Sequence, residues 1–148
     1  MFVDVLADLH RIFVWLPRDT HCVRHVNEVI ASLSHEMMFK IGITVDPMFR
    51  YYEAWYAYSK ANAQQRDGVI YEGMILVYVH PMRDVVGMLE HTMICACKGD
   101  HILRHRCANV KEDFDNHIAY DDSDEERAEA AGPHVLYIVW GRRCPKLR

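Results

Sequence analysis

Apolar positions along this chain gather into dense runs separated by polar stretches, and the spacing inside each run predicts an element. The first run ends in Ile12-Phe13-Val14-Trp15-Leu16 before Pro17. Its branched and aromatic content predicts a strand over 12–16, whereas 2–10 also fits a helix. Val23, Val26, Val29, Ile30 and Leu33 recur at helical spacing, predicting a helix over 22–37. Thr20 is its expected N-cap, because a hydroxyl there accepts from the first free N–H groups. Residues 37–44 read as a strand, and Asp46-Pro47 then punctuates the chain. Proline at a first helical position behind an aspartate cap predicts a helix over 47–63. That segment carries Phe49, Tyr51, Tyr52, Trp55, Tyr56 and Tyr58, and Gln65-Arg66-Asp67-Gly68 marks its break.

Further on, 73–79 is a nearly continuous apolar run whose length and branching suit a buried central strand. Pro81 opens a helix in which Val85, Val86, Leu89, Met93 and Ala96 share a face, and Gly99 stops it. Residues 100–118 are polar and rich in histidine, with no clear period. An acidic stretch at 119–132 reads as a flexible loop. A strand over 134–140, closed by Gly141, follows. The alternation predicts a single α/β (α+β) domain over 1–148: a mixed sheet of three to four strands covered by helices. Its core comprises about 12–118 and the strand 134–140.

Composition narrows the classes. Hydrophobic residues make up 51% of the 148, enough for a real core. No apolar run approaches the roughly 20 residues that span a bilayer, so no membrane association is expected. The amino terminus carries Asp4 and Asp8 where a secretory signal has a basic then apolar stretch. Five cysteines at irregular spacing suggest free thiols and an intracellular protein, cytoplasmic or nuclear. The net charge of −4 argues mildly against nucleic-acid binding, but the charge is unevenly spread. Six acids fall at 121–129 with Arg127 alone opposing them. Setting these aside from 21 acidic and 17 basic residues leaves 15 against 16. The tail 141–148 is basic.

Phe39-Lys40-Ile41-Gly42-Ile43-Thr44, followed by Asp46-Pro47 and Arg50, resembles the second motif of the GIY-YIG nucleases, in the subgroup with a Lys-Ile-Gly-Ile-Thr strand. The match covers residues 38–50 well and 72–95 loosely. The resemblance implies a GIY-YIG-like fold and action on nucleic acid, by magnesium-dependent hydrolysis of a phosphodiester. It makes Gly42 and Thr44 the place where a phosphate approaches the main chain, and Arg50 the residue that neutralises it. A glycine leaves the main chain open to such an approach, and an arginine fork suits a phosphate. Glu90 matches the family's metal-holding glutamate, and one carboxylate with waters and phosphate is what magnesium favours. Asn109 is the candidate for a further family asparagine.

Two departures stand beside that match. The first motif, a strand ending in Gly-Ile-Tyr, has no counterpart upstream, since no tyrosine precedes Tyr51. Lys40 stands where the family's second-motif tyrosine activates water. A permuted sheet repairs the loss if 135–139 pairs antiparallel to 37–43, bringing Tyr137 beside Lys40.

Other readings compete. An inactive interaction module keeping the fold would use the acidic loop 121–131 to bind a basic protein partner. The aromatic segment near 49–58 suits core filling better than base stacking. Cys95, Cys97, His101, His105 and Cys107 offer zinc-type ligands, but their spacing fits no common finger, and Cys95 and Cys97 point apart on a helix.

Overall fold

A computed structural model describes residues 3–4, 11–109 and 133–145. Its centre is one mixed sheet of β1 (Val3–Asp4), β2 (Ile12–Val14), β3 (Met38–Thr44), β4 (Val69–His80) and β5 (His134–Arg143). In space the order is β1-β2-β4-β5-β3. β2 runs parallel to β4, and β5 lies antiparallel between β4 and β3. The carboxy-terminal strand is thus a central one. Its register sets Lys40 opposite Val139 and Gly42 opposite Tyr137, which is the pairing the permuted arrangement requires.

Alternation along these strands splits the core in two. Phe39, Ile41, Ile43, Ile75, Val77, Leu136 and Ile138 form an aliphatic face packed with residues of α1 (Cys22–Ser32) and α3 (Arg83–Gly99). Tyr71, Met74, Leu76, Val135, Tyr137 and Val139 form the other, joined by Tyr51 and Tyr58. A register shift between Tyr71 and Gly73 keeps Val69 and Tyr71 on the same face as Met74 and Leu76. Among the described residues no helix is long and apolar enough to cross a membrane.

Several expected boundaries move. The helix expected over 22–37 stops at Ser32, whose hydroxyl turns back to the Val29 carbonyl, and Leu33 is already extended. Thr20 does not cap it: His21 holds the cap position, and its N–H donates to Asp19. The helix expected over 47–63 is a π-helical turn at Phe49–Glu53, a folded-back loop, and then α2 (Ala61–Asp67). Six of the ten residues at 49–58 are aromatic, and such side chains lose rotamer freedom on a regular helix. The loop folds back through bonds from the Tyr58 and Ser59 N–H groups to the Arg50 and Tyr51 carbonyls. Gly68 closes α2 at φ 65°, a left-handed conformation that suits glycine.

β4 outruns its expected span at both ends, and β5 outruns its span at the far end only. β5 continues through Gly141, where a Cβ would collide with the Ile70 carbonyl and Tyr71 backbone. Arg142 and Arg143, expected in a basic tail, belong to the strand, where they reach Glu72 and the His105 carbonyl. Residues 110–132, including the acidic loop, and 146–148 lie outside the described residues.

The outer edge of β3 is covered at Phe39 and Ile41. Phe39 exchanges backbone bonds with Arg106 and Ala108, while Asn109 covers Ile41. Such cover blunts that part of the edge against pairing with another chain.

Candidate functional site

The turn after β3 is built by its own side chains. The Thr44 hydroxyl accepts from the Asp46 N–H, and the Asp46 carboxylate accepts from the Phe49 N–H. The Arg50 N–H then bonds the Asp46 carbonyl, fixing Arg50 one turn beyond the strand. Its guanidinium lies 5.2 Å from the centroid of the Tyr56 ring. Thr44 is buried and its hydroxyl serves the turn, so it presents little to an incoming phosphate.

Gly42 has a different partner from the one expected. The Tyr137 side chain crosses the space above it, and a Cβ on Gly42 would collide with the Tyr137 hydroxyl and ring. The missing side chain therefore makes room for tyrosine, and the ring fills the place where the phosphate was expected. Tyr137 is only 2% exposed. Its hydroxyl lies 2.6 Å from that of Tyr58.

A chain of polar groups extends from this pair. The Tyr58 ring sits edge-on to both Tyr71 and Tyr137, at 4.9 and 5.7 Å between centroids. The Tyr71 hydroxyl donates to Asp67 at 2.6 Å. Arg66 donates two bonds of 2.9 Å to the same carboxylate, and Lys40 approaches it at 3.5 Å. Burial works against the charged Asp67, yet bonds from Arg66 and Tyr71 and the Lys40 ammonium hold its carboxyl below the usual range. Lys40 is thereby engaged with a carboxylate on α2.

The tyrosines respond oppositely. Burial, then the neighbouring Tyr58, pushes the Tyr137 hydroxyl well above its ordinary value. Arg50 opposes that shift and Glu90 adds slightly to it. Burial likewise raises Tyr58 and Tyr71, and pushes Tyr51 up to about 12.

Glu90 turns into the core because α3 is rotated from its expected face. Val86, Glu90, Met93, Ile94 and Cys97 form the buried stripe, whereas Val85 and Ala96 are exposed. Glu90 is 1% exposed, which is rare for a carboxylate. Its hard oxygen donors fit a magnesium ligand in kind.

Asn109 occupies a structural place. Its side chain accepts from the Ile41 N–H and donates to the Ile41 carbonyl, both at 2.8 Å, in imitation of a neighbouring strand. Cys95 is exposed while Cys97 is buried, so the two point apart as expected. Cys97 instead meets Cys107, and its hydrogen bond holds the Cys107 thiol below its ordinary pKa. No group of three or more histidine, cysteine or acidic side chains suited to a metal occurs among the described residues.

Gly42 and Tyr137 thus meet directly across β3 and β5, Arg50 stands one turn beyond β3, and Glu90 is buried on α3, which packs on the aliphatic face. Lys40, Thr44 and Asn109 bond Asp67, the Asp46 N–H and Ile41. Sequence reasoning missed Tyr58, Tyr71 and Asp67. Only the aromatic density near 49–58 signalled Tyr58, and nothing local tied it to Tyr137. Comparison with protein-family models, curated proteins and solved structures finds no match.

Proposed function

We propose that this chain is a divergent GIY-YIG-like domain, with β5 as a permuted partner of the second motif, that acts on nucleic acid by magnesium-dependent phosphodiester hydrolysis. The observation that supports it is the antiparallel register setting Gly42 against Tyr137, with Arg50 fixed one turn beyond the strand. Arg50 neutralises charge developing on the phosphate. Glu90 would hold the metal, which would supply charge neutralisation at the phosphate. Tyr137 remains protonated at neutral pH, because its pKa is raised, so it orients a water and does not deprotonate it. Free thiols at all five cysteines accord with a reducing cytoplasmic or nuclear setting.

The experiment is cleavage of labelled DNA and RNA substrates with and without magnesium. Arg50→Ala and Glu90→Gln should each lower the rate by about a hundredfold or more, with folding checked by thermal melts. Cleavage that survives both changes would place the chemistry elsewhere.

A second reading has its own support. Tyr137 and Glu90 are almost wholly buried, and Tyr137 covers Gly42. An interaction module that keeps the fold without the chemistry has no need of an open cleft. It would engage a basic protein through the acidic loop 121–131. Absence of cleavage by the unaltered protein, with any divalent cation, decides for this reading.

A further inference from the structure

Trp55 is 72% exposed, although the chain on either side of it is anchored in the core. Ala54 and Ala57 flank it at 3% and 0% exposure, so the loop is attached on both sides of the ring. Backbone bonds run from the Ala54 N–H to the Phe49 carbonyl and from the Ala57 N–H to the Ala54 carbonyl. The Asn62 amide donates to the Trp55 carbonyl, and the Lys60 ammonium donates to the Glu53 carbonyl, each at 2.9 Å. Leaving an indole in water forgoes the stabilisation its burial would bring, and this loop leaves it there in a braced position.

The ring continues directly into the candidate site. Tyr56 stands edge-on to Trp55 at 5.4 Å and 85°, and the Arg50 guanidinium lies over Tyr56. Trp55, Tyr56 and Arg50 therefore form one continuous surface with an apolar ring at one end and a cation at the other. Lys60 adds a second positive charge on the same loop. An aromatic plate beside cations matches a flat base attached to a charged backbone.

We infer that Trp55 is a stacking platform for an unpaired base of a nucleic-acid strand whose phosphate lies at Arg50. This rests on the nucleic-acid reading above and adds the substrate class: single-stranded or locally unpaired nucleic acid, since a paired base offers no free face. An indole stacks on every base, so the contact selects strandedness and not sequence.

The test is fluorescence anisotropy with a labelled oligothymidylate of about 15 nucleotides and a duplex of equal length, at one fixed salt concentration and in chelator to prevent cleavage. Trp55→Ala should weaken single-strand binding by about five- to a hundredfold, and Trp55→Phe should restore most of it. Met88→Ala, at another exposed apolar residue, should change nothing. The unaltered protein should prefer the single strand. Single-strand binding that Trp55→Ala leaves intact overturns the platform while nucleic-acid binding stands. Failure of the unaltered protein to bind either oligonucleotide overturns the nucleic-acid reading and the platform together. Self-association that Trp55→Ala abolishes, in a protein that binds no oligonucleotide, assigns the ring to a protein contact and overturns the platform.

Discussion

The two faces of the sheet are made by the same three strands and are built on different physics. On one, Phe39, Ile41, Ile43, Ile75, Leu136 and Ile138 interdigitate with the apolar stripes of α1 and α3. Non-directional burial is the main force there, and any well-packed apolar set of equal volume would serve. On the other, Tyr51, Tyr58, Tyr71 and Tyr137 bring hydroxyls into the interior. Three of these hydroxyls are held by one another or by Asp67. Burying a polar group is costly unless it is bonded, so this face has one workable arrangement where the aliphatic face has many. The difference separates stability from chemistry: one face anchors the strands, and the other holds side chains in fixed positions around Gly42.

The comparison breaks first at Phe39. Phe39 is fully buried on the aliphatic face beside Ile41, and its truncation leaves a cavity inside a packed layer. Phe39→Ala should lower stability by about 3–5 kcal/mol, read as a shifted urea midpoint. A loss under about 1 kcal/mol would mean that α1 and α3 collapse into the space, and that the aliphatic face is less tightly packed than its burial implies.

How much of this was legible follows the range of the interactions. β3 and β5 stood out in the sequence because Ile41, Ile43, Val135, Ile138 and Val139 are branched and the runs are short. Their mutual pairing was open to reasoning once the first motif was missing upstream. The parallel placement of β2 against β4 was not, because no local pattern encodes a crossover. The π-helical turn escaped because Tyr51, Trp55 and Tyr58 are spaced as on one helix face; the chain buries Tyr51 and Tyr58 while expelling Trp55. Gly42 and Arg50 were singled out by motif, but Asp67 and Tyr71 hold Lys40 and Tyr58 through contacts between residues far apart in the chain. The α3 stripe was placed one residue off, and that single step decides whether Glu90 faces water or the core.

A middle-sized effect is expected at Gly42, where the tyrosine face depends on an absence. Gly42→Ala puts a methyl group into the Tyr137 hydroxyl and ring, so the ring must move or the strands must part. A cost of about 1–3 kcal/mol is expected, typical of overpacking. The double-mutant cycle isolates the cause: in a Tyr137→Ala background Gly42→Ala should be close to neutral. An equal cost in both backgrounds would trace it to the strand backbone and remove the ring from the explanation.

The smallest effect at neutral pH separates the faces by proton chemistry. Tyr58→Phe removes one partner of the Tyr58–Tyr137 bond and leaves a buried hydroxyl without it, for about 1–2 kcal/mol. Its larger consequence lies in alkali. Tyr58, Tyr71 and Tyr137 all have pKa values raised in the folded state by burial. Unfolded tyrosine ionises near pH 10, so stability is complete below about pH 10 and falls as the pH rises further, while the unfolded chain loses protons that the folded one keeps. Each retained proton adds about 1.4 kcal/mol per pH unit to that slope, and Tyr58→Phe should make it one proton shallower. Phe39→Ala should lower the whole curve and leave the slope unchanged. Tyrosine absorbance near 295 nm during the titration provides the check. If all eight tyrosines ionise near pH 10 while the protein remains folded, the hydroxyls are not held in a closed interior, and the tyrosine face is open to water after all.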